Sequence, residues 1–167
     1  PWPMFVVLKA MAQYQEVSGD PSVIPAMERA IRKLSTLFDQ EPLHSWAQHR
    51  CSELVVTLHW LYERINEDWI LAFGRKVQDQ AYDWRLHFTE FKHKDKVPND
   101  EQDLATHVVT NAMAIKQHGV WFRQTRDLSD REAVFQAIET LDKYHGQATG
   151  LFSGDEHYAG RNPSQGT

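Results

Sequence analysis

The run Leu54-Val55-Val56-Thr57-Leu58-His59-Trp60-Leu61-Tyr62-Glu63-Arg64-Ile65-Asn66 decides the fold class. Leu54, Leu58, Leu61 and Ile65 recur at steps of four, three and four residues, which places them on one stripe of an α-helix. The spacing predicts a helix over residues 45–65. Asn66, which tolerates the left-handed conformation that ends many helices, is its stop.

The same organisation continues on both sides. Upstream, Phe5, Leu8, Met11 and Ala12 give residues 4–18 a broad apolar face. Gly19 ends that run, and Asp20-Pro21 offers an N-cap and a first-turn proline for a second helix striped by Ile24, Met27, Ile31, Leu34 and Leu37. Downstream, residues 68–86 read as a fourth helix carrying Trp69, Phe73, Tyr82 and Trp84. The charged stretch from His93 to Asp103, with Pro98, Asn99 and Asp100, reads as a surface loop. A fifth helix is expected over 103–125 with a kink near Gly119. A sixth opens at the capping box Ser129-Asp130-Arg131-Glu132 and runs to His145, with Gly146 as its C-cap. Residues 149–167 are rich in glycine and lose the helical period, so they read as a loop with room for a short strand.

A weak repeat runs through this series. Tyr14 to Asp20, Tyr62 to Asp68 and Phe122 to Asp127 each place an aromatic residue near a helix end, then a short polar turn, then another amphipathic helix. Each unit is a helical hairpin, and three stacked hairpins make an α-solenoid or part of an (α/α) toroid. The expected fold class is therefore all-α. A closed toroid of six hairpins needs about twice this length. The expected domain organisation is a single partial domain over 1–167, with helical hairpins in 1–148 and an active-site loop in 149–167.

Composition bounds the chemistry. Hydrophobic residues make up 41% and charged residues 25% of the 167, an ordinary globular balance able to bury a core. The net charge of -5 and the lack of a Lys/Arg cluster argue against a nucleic-acid partner. No apolar run approaches the ~18 residues a membrane-spanning helix needs, and no targeting segment is visible, which leaves the compartment open. The single cysteine, Cys51, excludes an intrachain disulfide.

No Gly-x-Gly-x-x-Gly, P-loop, His-Glu-x-x-His or Cys-x-x-Cys motif is present, so any catalysis must draw on residues gathered from several helices. Among nine histidines, His107 stands out within the otherwise apolar Leu104-Ala105-Thr106-His107-Val108-Val109. It is either a buried histidine satisfied by a carbonyl or carboxylate, or a partner for a sugar hydroxyl. Glu53, beside Leu54, is either an exposed helix-face carboxylate or a site residue. Cys51 reads as packing rather than as a nucleophile. Trp46, Trp60, Trp69, Trp84 and Trp121 read mainly as core, with one or two open to sugar stacking. In the last segment, Asp155, Glu156 and His157 offer acid, base and hydrogen-bonding groups suited to a polyol. The alternative there is a solvated turn.

Gly150-Leu151-Phe152-Ser153-Gly154-Asp155-Glu156-His157 and Gly160-Arg161-Asn162-Pro163-Ser164-Gln165-Gly166-Thr167 resemble a stretch of the β-L-arabinofuranosidase family of glycoside hydrolases. His59 to Arg64, Thr106-His107 and Glu139 to Gly146 add to the resemblance. It implies an (α/α)6-toroid catalytic domain and retaining hydrolysis of a terminal furanoside. It also implies a cysteine thiolate nucleophile at a zinc site built from cysteines and a glutamate. In the family a Glu-x-Cys motif follows Gln-Gly-Thr at once, and the nucleophile lies further on. The resemblance therefore puts the principal catalytic residues beyond Thr167, with no metal site and no cofactor within these residues and zinc in the full-length family. His107 matches a sugar-contacting histidine, and Glu53 the glutamate of a His-x-Glu motif in which Cys51 replaces the His. Glu156, with Asp155 and His157 beside it, matches further pocket groups more loosely.

The expected substrate is a carbohydrate carrying terminal L-arabinofuranose or a related sugar, and the expected partners are the remainder of the toroid or a second copy. Two alternatives remain. One is another (α/α)-toroid sugar enzyme, a uronyl hydrolase or epimerase. The other is a non-catalytic α-solenoid binding module.

Overall fold

The computed structural model describes residues 1–152, 154–162 and 164. Its regular structure is helical apart from one pair of two-residue strands. The chain divides into two compact units, Pro1–Tyr82 and Asp83–Thr167. Among the described residues, no helix is long and apolar enough to cross a membrane.

The first unit holds α1 (Trp2–Ser18), α2 (Val23–Gln40), α3 (Ser45–His49), α4 (Ser52–Ile65) and α5 (Asp68–Asp79). α1 packs on α2 and α4, and α4 packs on α5. Phe5, Leu8, Met27, Ile31, Leu54, Leu58, Leu61, Ile70 and Val77 are buried. Phe38 links the layers, its ring 6.3 Å from Phe5 and 5.6 Å from Phe73. The buried stripe of α2 runs through Val23, Met27, Ile31, Leu34 and Phe38, one residue off the expected positions at either end.

Two expected helices are broken. The helix expected over 45–65 divides at Arg50-Cys51, because the Gln48 carbonyl accepts from the Tyr82 N–H at 3.1 Å. An uninterrupted helix would give that carbonyl to residue 52. The helix expected over 68–86 stops at Asp79. There the Gln80 side chain turns back, accepting from Leu43 N–H and donating to the Phe38 carbonyl, and so satisfies backbone groups near the end of α2. The tryptophans also depart from the core reading. Trp46, Trp60 and Trp69 are only half-buried, and the guanidinium groups of Arg50, Arg64 and Arg32 lie 4.1, 3.8 and 4.0 Å from their ring centres. Trp84 and Trp121 are buried.

The second unit holds α6 (Trp84–Thr89), a 3-10 turn (Asn99–Glu101), α7 (Val108–Ala114), α8 (Gln117–Thr125), α9 (Leu128–His145), β1 (Gly154–Asp155) and β2 (His157–Tyr158). α9 packs against both α8 and α6. The expected fifth helix starts at Val108 rather than 103, because the Asp103 carboxylate accepts from the N–H groups of Ala105 and Thr106 and holds them in a turn. Its interruption falls at Ile115-Lys116. Gly119 lies inside α8, where an added Cβ would stand 3.2 Å from Val134 of α9. The cap of α9 is Asp127, which accepts from Ser129 N–H at 2.9 Å, instead of the expected Ser129.

The repeated turns share a backbone solution. Gly19, Asn66 and Arg126 all adopt the left-handed conformation, at φ 66°, 51° and 60°. Each donates its N–H to the carbonyl four residues earlier, on Gln15, Tyr62 and Phe122.

Candidate functional site

The site in the second unit begins at the Asp103 turn. That turn fixes Thr106 and brings His107 to the start of α7 in an extended conformation, φ −69° and ψ 123°. His107 is thus the N-cap of α7 and not a residue within a helix as expected. Its Nδ1 accepts from the Thr110 N–H at 3.3 Å. With that nitrogen accepting, the ring proton sits on Nε2.

A strap of chain lies across this corner. It leaves α9 at Gly146, where an added Cβ would overlap the Asp142 carbonyl oxygen. It turns at Gly150 (φ 81°), with Gln147 N–H on the Leu151 carbonyl at 2.7 Å. β1 and β2 then pair antiparallel, Gly154 with Tyr158 and Asp155 with His157. A side chain at Gly154 would collide with Val108. Between the strands Glu156 adopts φ 65°, a conformation that costs a non-glycine residue about 1 kcal/mol or more. The Glu156 carbonyl accepts from Val108 N–H at 2.9 Å, and Tyr158 N–H donates to the Thr106 carbonyl at 3.1 Å.

These bonds bring the polar groups together. His107 and His157 form an antiparallel bridge, with ring centres 5.6 Å apart and planes at 83°. His157 Nδ1 lies 2.8 Å from Thr106 Oγ1. A Glu156 carboxylate oxygen stands 4.0 Å from His107 Nε2. The Glu156 side chain is 76% exposed and that of His107 13% exposed, so the carboxylate reaches from solvent toward a largely buried ring. Asp155 is also exposed. Next to this polar corner, Val108, Val109, Ile138, Leu141, Leu151 and Phe152 line an apolar cavity of about 580 Å³. Paired donors and acceptors beside an apolar wall are the usual make-up of a small-molecule site.

Of the expected site residues, the structure gathers His107, Asp155, Glu156 and His157 within the second unit. Glu53 stands in the first, near the start of α4, where it is buried and its carboxylate meets Lys9 Nζ at 2.7 Å. It is not the exposed helix-face carboxylate that was one of its two expected readings. Cys51 is fully buried, and burial pushes its thiol up to about 12, so it stays protonated at neutral pH. Among the described residues no group of three or more His, Cys, Asp and Glu side chains is placed to hold a metal ion.

Sequence reasoning missed the support behind the site. The Tyr158 hydroxyl donates to the Asn111 side chain, whose own amide donates to the carbonyls of Ala105 and His107. The signal was present in outline, since Asn111 lies one helical turn beyond His107 on the same face. Compared with models of known protein families, with curated proteins and with solved structures, the chain matches none.

Proposed function

We propose that this chain is part of a retaining glycoside hydrolase that releases terminal L-arabinofuranose or a related sugar from plant-type glycans. In this reading its helices belong to an (α/α)6 toroid, and its second unit supplies polar contacts to the sugar. The observation that carries it is the meeting of His107 and His157 under the Glu156 carboxylate. A furanose ring presents hydroxyls that both donate and accept. His107 Nε2–H is a fixed donor, and the carboxylates of Asp155 and Glu156 are acceptors. The resemblance of Gly150 to His157 and of Gly160 to Thr167 to the β-L-arabinofuranosidase family supports the same substrate class.

A retaining mechanism requires a nucleophile within reach of the anomeric carbon and a proton donor at the leaving oxygen. The buried, protonated Cys51 is unsuited to the first role. The reading places both groups outside these 167 residues, where the family's zinc would stabilise the thiolate. The chain by itself is then expected to bind the sugar without turning it over. The test is hydrolysis of a chromogenic β-L-arabinofuranoside by the purified chain, with and without added zinc. No turnover above background is expected. Turnover that disappears on Glu156→Ala would overturn the assignment of catalysis to other residues.

A further inference from the structure

His145, the last residue of α9, uses both ring nitrogens. Its Nδ1 accepts the Gly160 N–H at 3.0 Å, and its Nε2–H donates to the His93 carbonyl at 2.8 Å. The ring is fully buried and stacks on Tyr158, with centres 4.4 Å apart and planes 11° from parallel. An accepting Nδ1 carries no proton, and a donating Nε2 carries one. The site therefore demands a neutral imidazole in a single tautomer. Three stretches meet on this ring: the end of α9, the loop at His93, and the strap just beyond β2. Gly160 is held there by its backbone, at φ 73°, and an added Cβ would stand 2.6 Å from an Asp95 carboxylate oxygen. The strap is anchored on the same side by Val97 N–H on the Tyr158 carbonyl and by a bridge between Lys96 and Ala159.

We propose that His145 is a positioning residue that clasps the strap, holding Glu156 and His157 beside His107 while its ring is neutral and releasing them when the ring takes up a second proton. The consequence for sugar binding rests on the function proposed above, whereas the clasp itself does not.

A second proton would lie on Nδ1 and point at the Gly160 N–H, donor against donor, leaving the strap's amide unsatisfied and a cation buried. Several titratable groups lie around that ring. From the loop, Asp95 favours the proton and the His93 ring opposes it. From the strap comes the Tyr158 ring, and from α6 the His87 ring, whose Nε2 lies 3.2 Å from the Tyr158 hydroxyl. On α9 itself Asp142, Lys143 and Tyr144 precede it. Burial is the largest influence and lowers the His145 pKa below the ordinary histidine value, partly offset by its bond to the His93 carbonyl. His93 is lowered too, by burial first, with Asp103 and Glu101 opposing.

The sign follows from these directions. With the folded value below the open value, the clasp acts fully above about pH 6.5 and is lost as pH falls through the folded value. Between the two values the opening constant rises about tenfold per pH unit.

The test combines nitrogen shifts of the His145 ring with amide exchange at Gly160, corrected for intrinsic rate, from about pH 8 to about pH 5. Leu141, inside α9, serves as the reference for global unfolding. The expected result is an Nε2–H tautomer at neutral pH and protection at Gly160 that falls about tenfold per pH unit once His145 begins to protonate in the open strap, while Leu141 holds. His145→Asn keeps an acceptor near the Nδ1 position without titrating, so it flattens the Gly160 profile. His93→Asn and His87→Asn keep the wild-type dependence. An Nδ1–H tautomer, flat protection in the wild type, or joint loss at Gly160 and Leu141 would overturn the clasp. So would a wild-type pH dependence retained in His145→Asn. The wild-type measurements decide the matter even if His145→Asn fails to fold. None of these readouts uses a sugar, so failure of the clasp and failure of the sugar reading are separable.

Discussion

His107 and His157, fifty residues apart in sequence, face one another across one antiparallel bridge with their rings 5.6 Å apart. Both rings are tied down through Nδ1. His107 caps α7 through its Nδ1, and His157 is tied through its Nδ1 to Thr106. Each ring therefore has one nitrogen committed to the scaffold. On His107 the second nitrogen is turned toward the exposed Glu156 carboxylate. Rings fixed in this way bind a ligand without a further loss of rotamer entropy.

Glu53 is predicted to be a structural residue whose partner matters. Its carboxylate is nearly all buried, while Lys9 keeps a side-chain exposure of 41%. Lys9→Met removes the cation and leaves the carboxylate in place. The expected loss is about 1–2 kcal/mol in urea unfolding, the lower part of the range for an abandoned buried charge because Lys9 is partly solvated. A change below about 0.3 kcal/mol would show that Glu53 relies on other contacts.

Gly146 is predicted to be intolerant of any side chain. Its conformation is ordinary, φ −65° and ψ 143°, so backbone strain is not the reason. The reason is overlap of an added Cβ with the Asp142 carbonyl and side chain at the end of α9. Gly146→Ala is expected to destabilise the chain by about 2 kcal/mol or more, since the clash involves backbone that has little freedom to move. A thermal midpoint unchanged by the substitution would contradict this.

Arg126 is predicted to be a site of gain. It occupies the left-handed position after α8 at φ 60°, where glycine carries no steric penalty. Arg126→Gly is expected to stabilise the chain by about 0.5–1 kcal/mol, net of the extra freedom glycine brings to the unfolded state. Denaturant unfolding of the variant checks the sign. A loss would mean that the arginine side chain contributes more than its backbone costs.

The helical character and several helix ends were legible because they depend on local chemistry. Gly19 and Asn66 announced their turns through the conformations those residue types favour. The breaks after His49 and Asp79 were not legible, because a distant N–H on Tyr82 and a distant backbone on Leu43 and Phe38 create them. His107 caps α7 instead of lying inside a helix, and nothing local reveals that Asp103 winds the preceding residues into a turn. The meeting of Asp155 to His157 with Thr106 to Val108 joins segments about fifty residues apart. The strap's backbone bonds, with the side-chain bonds of His157 and His145, create it. Glycine at 146, 154 and 160 was visible in the sequence, but the atoms that forbid a side chain there were not.

The central claim is that His107 and His157 form a sugar-contacting pair. The measurement that tests it most directly is the ring chemical shifts of these two histidines during titration of the chain with methyl β-L-arabinofuranoside, with a methyl glucopyranoside as the comparison. The account predicts saturable shifts at both rings for the furanoside, with a Kd of millimolar order, as befits a small polar ligand held by a few hydrogen bonds. His107→Ala should weaken that binding about three- to tenfold, the value of one neutral hydrogen bond or slightly more. Rings that do not respond to the furanoside, or that respond equally to both sugars, would contradict it.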